Sequence, residues 1–386
     1  IMKQQTNAIE KIFLYTYFGW GFILQYIYTV NISIPYRSQV LFIANGFAIF
    51  VYTLYIVIRF LGERSNIYIL GLISSILFLL LGVIYSQHQI GVAYIAIFLL
   101  IIGAGTVSFR KILKVFLTFS SLTLFSTIIF NLLNIIPSMT TFSDGRLRDS
   151  LGFYYVSFAS AIMFFYVCAY LVYRGKNVIY IELIILAEIN VFIFFHTKTR
   201  NPYMLSMLFI IYVGIYKSIK KRILTRNKVF KIITIYIFPI SFLFLIWLLE
   251  KAPISIFDWI NKAVSYRLSF SVSALNNYGI SFLGQRIKMI TTDGLGGFGG
   301  ANYNYIDSFY IQNLIINGWS FILIILIGYT IIAFKSVREH KEILSMALVM
   351  VALHAIFDPQ LFWAWYSPFG LILGQLFFSK FNDKLL

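Results

Sequence analysis

Leu275-Asn-Asn-Tyr-Gly-Ile-Ser-Phe-Leu-Gly-Gln-Arg286, Asp293-Gly-Leu-Gly-Gly-Phe-Gly-Gly300 and Asn302-Tyr-Asn-Tyr-Ile-Asp307 do not read as built for lipid. They belong to a segment, Glu250 to Asp307, that opens with the amphipathic pieces Ile256-Phe-Asp-Trp-Ile and Tyr266-Arg-Leu-Ser-Phe. Apolar runs flank it on both sides. Such runs recur from end to end, each near the ~20 residues that cross a hydrocarbon core.

Composition agrees with that pattern. The 386 residues are 60% hydrophobic and 12% charged, whereas soluble domains carry about a quarter charged residues. The chain therefore reads as an all-α polytopic integral membrane protein, since lipid leaves no partner for an unpaired backbone group. Spans are expected near 12–30, 40–58, 67–85, 91–108, 116–135, 153–173, 179–195, 203–216, 232–249, 307–334, 343–356 and 363–379, about twelve transmembrane helices in one domain covering 1–386. The run from Ile12 to Val30 lacks a small-residue cleavage site and reads as a retained span. The lone Cys168 excludes an intrachain disulfide.

The formal net charge of +17 would suggest nucleic acid in a soluble chain. In a membrane protein it reports orientation, because basic residues stay on the cytoplasmic side. With both termini inside, 21 Lys and Arg fall in inner segments and 10 in outer ones. Residues 250–306 then form one large extracytoplasmic loop between the ninth and tenth spans.

Arginines on the outer side oppose that bias and ask for a reason. They are Arg146 and Arg148, Arg200 in the turn His196-Thr-Lys-Thr-Arg200, and Arg267 and Arg286 in the large loop. A guanidinium donates a planar fork to phosphate oxygens and keeps its charge when partly buried. Local duties remain open for each: anionic headgroups, or pairing with Asp144, Asp149, Asp258 and Asp293. Arg200 precedes Asn201-Pro202, a proline tolerated in a first helical turn. That places Arg200 at a helix N-terminus, where exposed amides also favour anions.

The glycine run around Gly297 lacks the Gly-Lys-Ser/Thr of a P-loop and the βαβ setting of a dinucleotide fold. A close backbone approach to a flat ligand and a plain flexible turn both remain open. Asp307 stands at the mouth of the tenth span, beside Tyr305, Ser308 and Tyr310. It reads either as a helix cap or as a general base. His354 and Asp358 lie four apart, too sparse for a metal site and suited to local pairing.

The order of these features resembles the bacterial oligosaccharide repeat-unit polymerases (Wzy-type), relatives of the O-antigen ligases. Arg148-Asp-Ser-Leu-Gly-Phe153 resembles the family's Arg-x-Ser-Leu-Gly-Phe, and Thr199-Arg200 its Thr-x-Ser-Arg turn. Ala274-Leu-Asn-Asn-Tyr-Gly-Ile, Phe282-Leu-Gly-Gln, the glycine run and Asp307-Ser-Phe-Tyr310 resemble its large loop. Tyr154-Tyr-Val-Ser157 and Ser308 depart from it, standing where His-Pro-Asn-like residues and asparagine are common.

The resemblance implies a GT-C-like membrane glycosyltransferase in the bacterial cytoplasmic (inner) membrane, its active site facing outward. Donor and acceptor would be oligosaccharides on undecaprenyl pyrophosphate, and the product an O-antigen, capsule or exopolysaccharide. Asp307, Arg200 and Arg148 are the expected catalytic groups. Arg146, Arg267, Arg286, Gly297, Tyr305 and Tyr310 are expected to contact substrate. No metal, cofactor or nucleic acid is implied; the lipid bilayer is, and a chain-length regulator is an allowed partner. A lipid-linked oligosaccharide flippase and an O-antigen ligase are the rival readings.

Overall fold

The computed structural model of the chain describes residues 2–62, 66–88, 91–143, 145–219, 222–290 and 304–378. Helices dominate: α1 (Met2–Thr29), α2 (Arg37–Gly62), α3 (Asn66–Ser86), α4 (Val92–Ala104) and α5 (Phe109–Leu132) form the first half. A hairpin, β1 (Thr140–Ser143) and β2 (Arg146–Asp149), pairs antiparallel with Thr141 opposite Arg148. Next come α6 (Phe158–Arg174), α7 (Tyr180–Thr197), α8 (Arg200–Ile219), α9 (Lys228–Ile235) and α10 (Ile237–Glu250). After α11 (Ile254–Ala263) and α12 (Arg267–Tyr278), the chain resumes at α13 (Phe309–Ile316), α14 (Gly318–Arg338) and α15 (Glu342–His354). It closes with two 3-10 turns and α16 (Gln375–Phe378).

Six helices are long and apolar enough to cross a membrane: α2, α5, α6, α7, α8 and α14. A seventh span results if α9 and α10, bent by 71°, are joined. The protein is all-α, with six to seven helices among its described residues that could cross a membrane, and the other expected spans fall below that length or apolarity. The reasons are physical. The 13-residue α4 and α15 and the 10-residue Phe369–Phe378 fall short of ~30 Å of hydrocarbon at ~1.5 Å per residue. In α1, length is ample at 28 residues, but tyrosines, threonines and Gln25 dilute its apolarity.

The expected tenth span is broken. α13 stops at Ile316, and α14 starts at Gly318 with φ +79°. Residues 281–285 fill the break: Gln285 N donates to Ile316 O (2.8 Å), Trp319 N to Ser281 O (3.1 Å) and Ser320 N to Phe282 O (3.0 Å). A Cβ on Gly284 would sit 2.1 Å from Ile316 O, so this junction admits only glycine. Part of the large loop is thereby sewn into the bundle. Every residue of α13 is buried, so that helix is wrapped in protein.

Of the last expected span, residues 363–378 form a largely buried segment of turns, 3-10 helix and the short α16. Trp365 and Phe369 are 0% exposed. Its carbonyls find partners inside the bundle: Tyr17 Oη reaches Ala364 O (3.0 Å), Gln25 Nε2 reaches Trp365 O (2.7 Å) and Tyr329 Oη reaches Phe369 O (3.2 Å). Non-helical backbone at membrane depth survives only where protein satisfies it in this way. α6, largely buried along its length, is the central post, contacting α5, α7, α8 and α15.

Candidate functional site

Every element that reaches the site does so at one end of the bundle, where α6 begins, α7 ends, α8 begins and α15 ends. Ser150-Leu-Gly-Phe153 builds the first wall. Leu151 (φ +54°) and Gly152 (φ +84°) make a left-handed turn, and Gly152 packs so closely that a Cβ would meet Asn131 Cβ at 2.9 Å. Ser150 ties the turn to the hairpin by accepting from Met139 N (2.9 Å). Tyr154 N donates to Thr29 O (2.7 Å), anchoring it to the end of α1. The motif's physical job is to present Arg148 on one side of this turn and Tyr155 on the other.

Arg148 reaches across to the C-terminus of α7. Its Nε donates to Thr197 O (2.9 Å) and its Nη2 to Thr199 Oγ1 (2.9 Å). Arg146 Nη1 donates to Lys198 O (3.2 Å). Both arginines thus satisfy carbonyls at a helix end that attracts positive charge. The turn places Lys198 in the left-handed region (φ +50°).

Asp307 is not a helix cap. Ser308 fills that role, its Oγ accepting from Ile311 N (3.4 Å). The Asp307 carboxylate instead faces the Arg267 guanidinium, Nε to Oδ2 3.5 Å. Arg267 is held in turn by Phe357 O, which accepts from Nη1 at 2.6 Å. Both side chains keep about a fifth of their surface open, 23% for Arg267 and 20% for Asp307. Burial raises the Asp307 pKa from the usual carboxylate value, and Arg267 offsets only part of that rise.

A second carboxylate stands close by. Burial pushes the Asp358 pKa up to about 7, and the negative charge of Asp307 adds to the rise against the hydrogen bond from Gln360 N and the pull of Arg267. Asp358 Oδ2 lies 3.7 Å from His354 Nε2, and His354 Nδ1 meets Asn201 Nδ2 at 3.1 Å. The imidazole is wedged against the Phe164 ring, centroids 4.1 Å apart. Tyr155 and Tyr305 complete the cluster. Burial raises both phenols; Asp307 adds to each, Asp358 adds to Tyr305, and Arg267 and Arg148 pull Tyr155 back. Two guanidinium groups, two carboxyls and two tyrosines therefore share one electrostatic neighbourhood.

Of the residues expected from sequence, Arg148, Arg267, Tyr305 and Asp307 come together here. Arg200 starts α8 as expected, but its side chain is exposed, and its neighbour Asn201 is the residue that reaches the cluster. Arg286 is also exposed, on the non-helical stretch after α12. Tyr310 is fully buried, its hydroxyl donated to Ala352 O (3.1 Å), so it belongs to the core and not to a substrate surface. Gly297 and the glycine run lie outside the described residues, as do Asp144 and Asp293.

Tyr155, Asn201 and Asp358 are the members sequence reasoning missed. Tyr155 stands where the sequence departs from the resemblance, and Asp358 reads from sequence as pairing locally with His354, which it does at 3.7 Å, but not as a neighbour of Asp307. Among the described residues, no group of three or more His, Cys, Asp or Glu is placed to hold a metal ion. Between the end of α5 and the base of the hairpin, a hollow of about 540 Å³ is lined by Asn131, Asn134, Ser138, Asp149 and His196 among others.

Comparison with protein-family models, curated proteins and solved structures finds no match to this chain.

Proposed function

We propose that this protein is a membrane glycosyltransferase that joins undecaprenyl-pyrophosphate-linked oligosaccharide repeat units into a surface polysaccharide. The reading includes twelve membrane-embedded segments of GT-C-like arrangement, several of them short or broken. It places the site at the outer face of the cytoplasmic membrane. One observation carries it: a carboxylate with raised proton affinity, Asp307, lies 3.5 Å from Arg267 at a non-helical junction of the bundle, and Arg148 acts on the same Tyr155.

In the proposed reaction an acceptor hydroxyl attacks the anomeric carbon of the donor glycan. Its proton passes to the Asp307 carboxylate as the new glycosidic bond forms. The bond from the anomeric carbon to the lipid pyrophosphate breaks, and the electron pair leaves with the diphosphate. A base is most effective when its pKa approaches working pH, and burial moves Asp307 in that direction. Charge builds on the leaving diphosphate, so cations already fixed in place stabilise the transition state without reorganising. Thr197 O and Phe357 O fix Arg148 and Arg267 in this way.

The test is chain extension by purified protein given lipid-linked repeat units in detergent. Longer lipid-linked glycans are expected. Unaltered substrate that instead crosses liposome bilayers would replace this reading with transport, and glycan passed only to added lipid A would replace it with a ligase.

A further inference from the structure

The opposite end of the bundle holds a second hollow, of about 590 Å³, where α6 runs into α7 and α8 ends. Its polar lining includes Lys176, Tyr180, Tyr216, Lys217, Ser218 and Arg222, and its floor Val213 and Ile343. α7 has 18 residues, which at ~1.5 Å each separates this end from the Asp307 cluster by roughly 27 Å. Among the described residues, three cations line the hollow and no carboxylate does.

The two acids nearest in the chain are already engaged. Glu182 takes both Nη2 (2.6 Å) and Nε (3.1 Å) of Arg174. Glu342 accepts from Ile223 N, Leu224 N, Thr225 N, Thr225 Oγ1 and Tyr212 Oη. That second set pins the backbone immediately after Arg222, so the mouth of the hollow is a fixed structure. The far wall is fixed as well: Lys217 Nζ sits 5.3 Å over the Tyr180 ring, and Tyr180 Oη meets Ser218 Oγ at 2.9 Å.

We propose that this hollow binds the phosphate headgroup of an anionic lipid. Basic pockets between membrane helices recognise such headgroups, and tyrosine and serine hydroxyls add donors to the phosphate oxygens. The volume exceeds what one inorganic phosphate fills, and the surroundings suit acyl chains. Ile184, one turn from Tyr180, and Ile215 and Ile211, one and two turns before Ser218, are exposed apolar side chains on the stripes that lead away from the hollow. The site is independent of the reaction proposed for the other end.

The experiment is native mass spectrometry of detergent-purified, lipid-stripped protein titrated with phosphatidylglycerol, phosphatidylcholine or inorganic phosphate. Wild type is expected to retain phosphatidylglycerol and not phosphatidylcholine with the same tails. The variant Lys176→Ser/Lys217→Ser/Arg222→Ser is expected to bind it about 100-fold more weakly, about fivefold for each basic group lost near a membrane surface. Lys11→Ser/Lys114→Ser/Lys228→Ser removes equal charge at exposed positions elsewhere and keeps binding. Lys176→Arg/Lys217→Arg also keeps it, which separates lost binding from lost folding. Equal retention of both lipids, equal loss in the charge-matched control, or binding of inorganic phosphate in preference to lipid would each overturn the proposal.

Discussion

Two sets of carboxylates, at opposite ends of one helical bundle, are treated in opposite ways. Glu342, 2% exposed, is met by five donors from the segment 223–225 and Tyr212. Asp307 and Asp358 are ringed by protein too, yet their electrostatics are dominated by burial rather than by donors, and both pKa values rise. A buried carboxylate saturated with donors stays charged and holds structure. One left short of donors keeps a high affinity for a proton, and that is the property a base or proton carrier needs. A carboxylate thus serves as a rivet at one end and, in the proposed reaction, as the base at the other, and the difference lies in the number of hydrogen bonds offered.

The contrast can be broken by mutation. Asp307→Asn preserves shape and removes the proton acceptor, so glycan extension is expected to fall by about 10²- to 10⁴-fold, the usual worth of a general base. Arg267→Ala is expected to reduce extension by about 10²-fold, typical of a lost transition-state charge contact, read in the same gel assay of chain length. Glu342→Gln should invert the pattern: extension per folded molecule stays at the wild-type level, while unfolding in detergent becomes about 3 kcal/mol easier as charged acceptor bonds are lost.

Asp358→Asn acts through pH. Folded Asp358 holds its proton to about pH 7, whereas the unfolded carboxyl releases it near 3.8. The proton's stabilisation is therefore full below pH 3.8 and lost as pH rises through 7. Wild-type Tm should fall across that window, and Asp358→Asn should flatten the fall. Arg200→Ala tests the start of α8 beside the cluster. Its exposed side chain should change extension less than tenfold, the smallest effect here.

Much of the architecture was legible in hydropathy, because each apolar run does fall on helical or turn-rich chain. What hydropathy cannot distinguish is burial in lipid from burial in protein. Trp365 and Phe369 are as apolar as any lipid-facing residue, yet they sit in an irregular segment inside the bundle. The break at Asn317-Gly318 was hidden for a similar reason: residues 281–285, remote in sequence, supply the hydrogen bonds that make it affordable. At the site, Arg148 and Asp307 were visible as polar residues at the edges of apolar runs. Their pairings were not, since Arg267 meets Phe357 across 90 residues and Asn201 meets His354 across 153. Such pairings arise only from folding.

The central claim is that Asp307 takes the acceptor's proton during glycan transfer. The most direct measurement is steady-state extension by Asp307→Asn over a range of lipid-linked donor concentrations. A kcat reduced at least 100-fold with KM within about threefold of wild type is the predicted result, since only the transition state loses its partner. An unchanged kcat, with or without a shift in KM, would contradict the account and leave the carboxylate as nothing more than the counter-charge of Arg267.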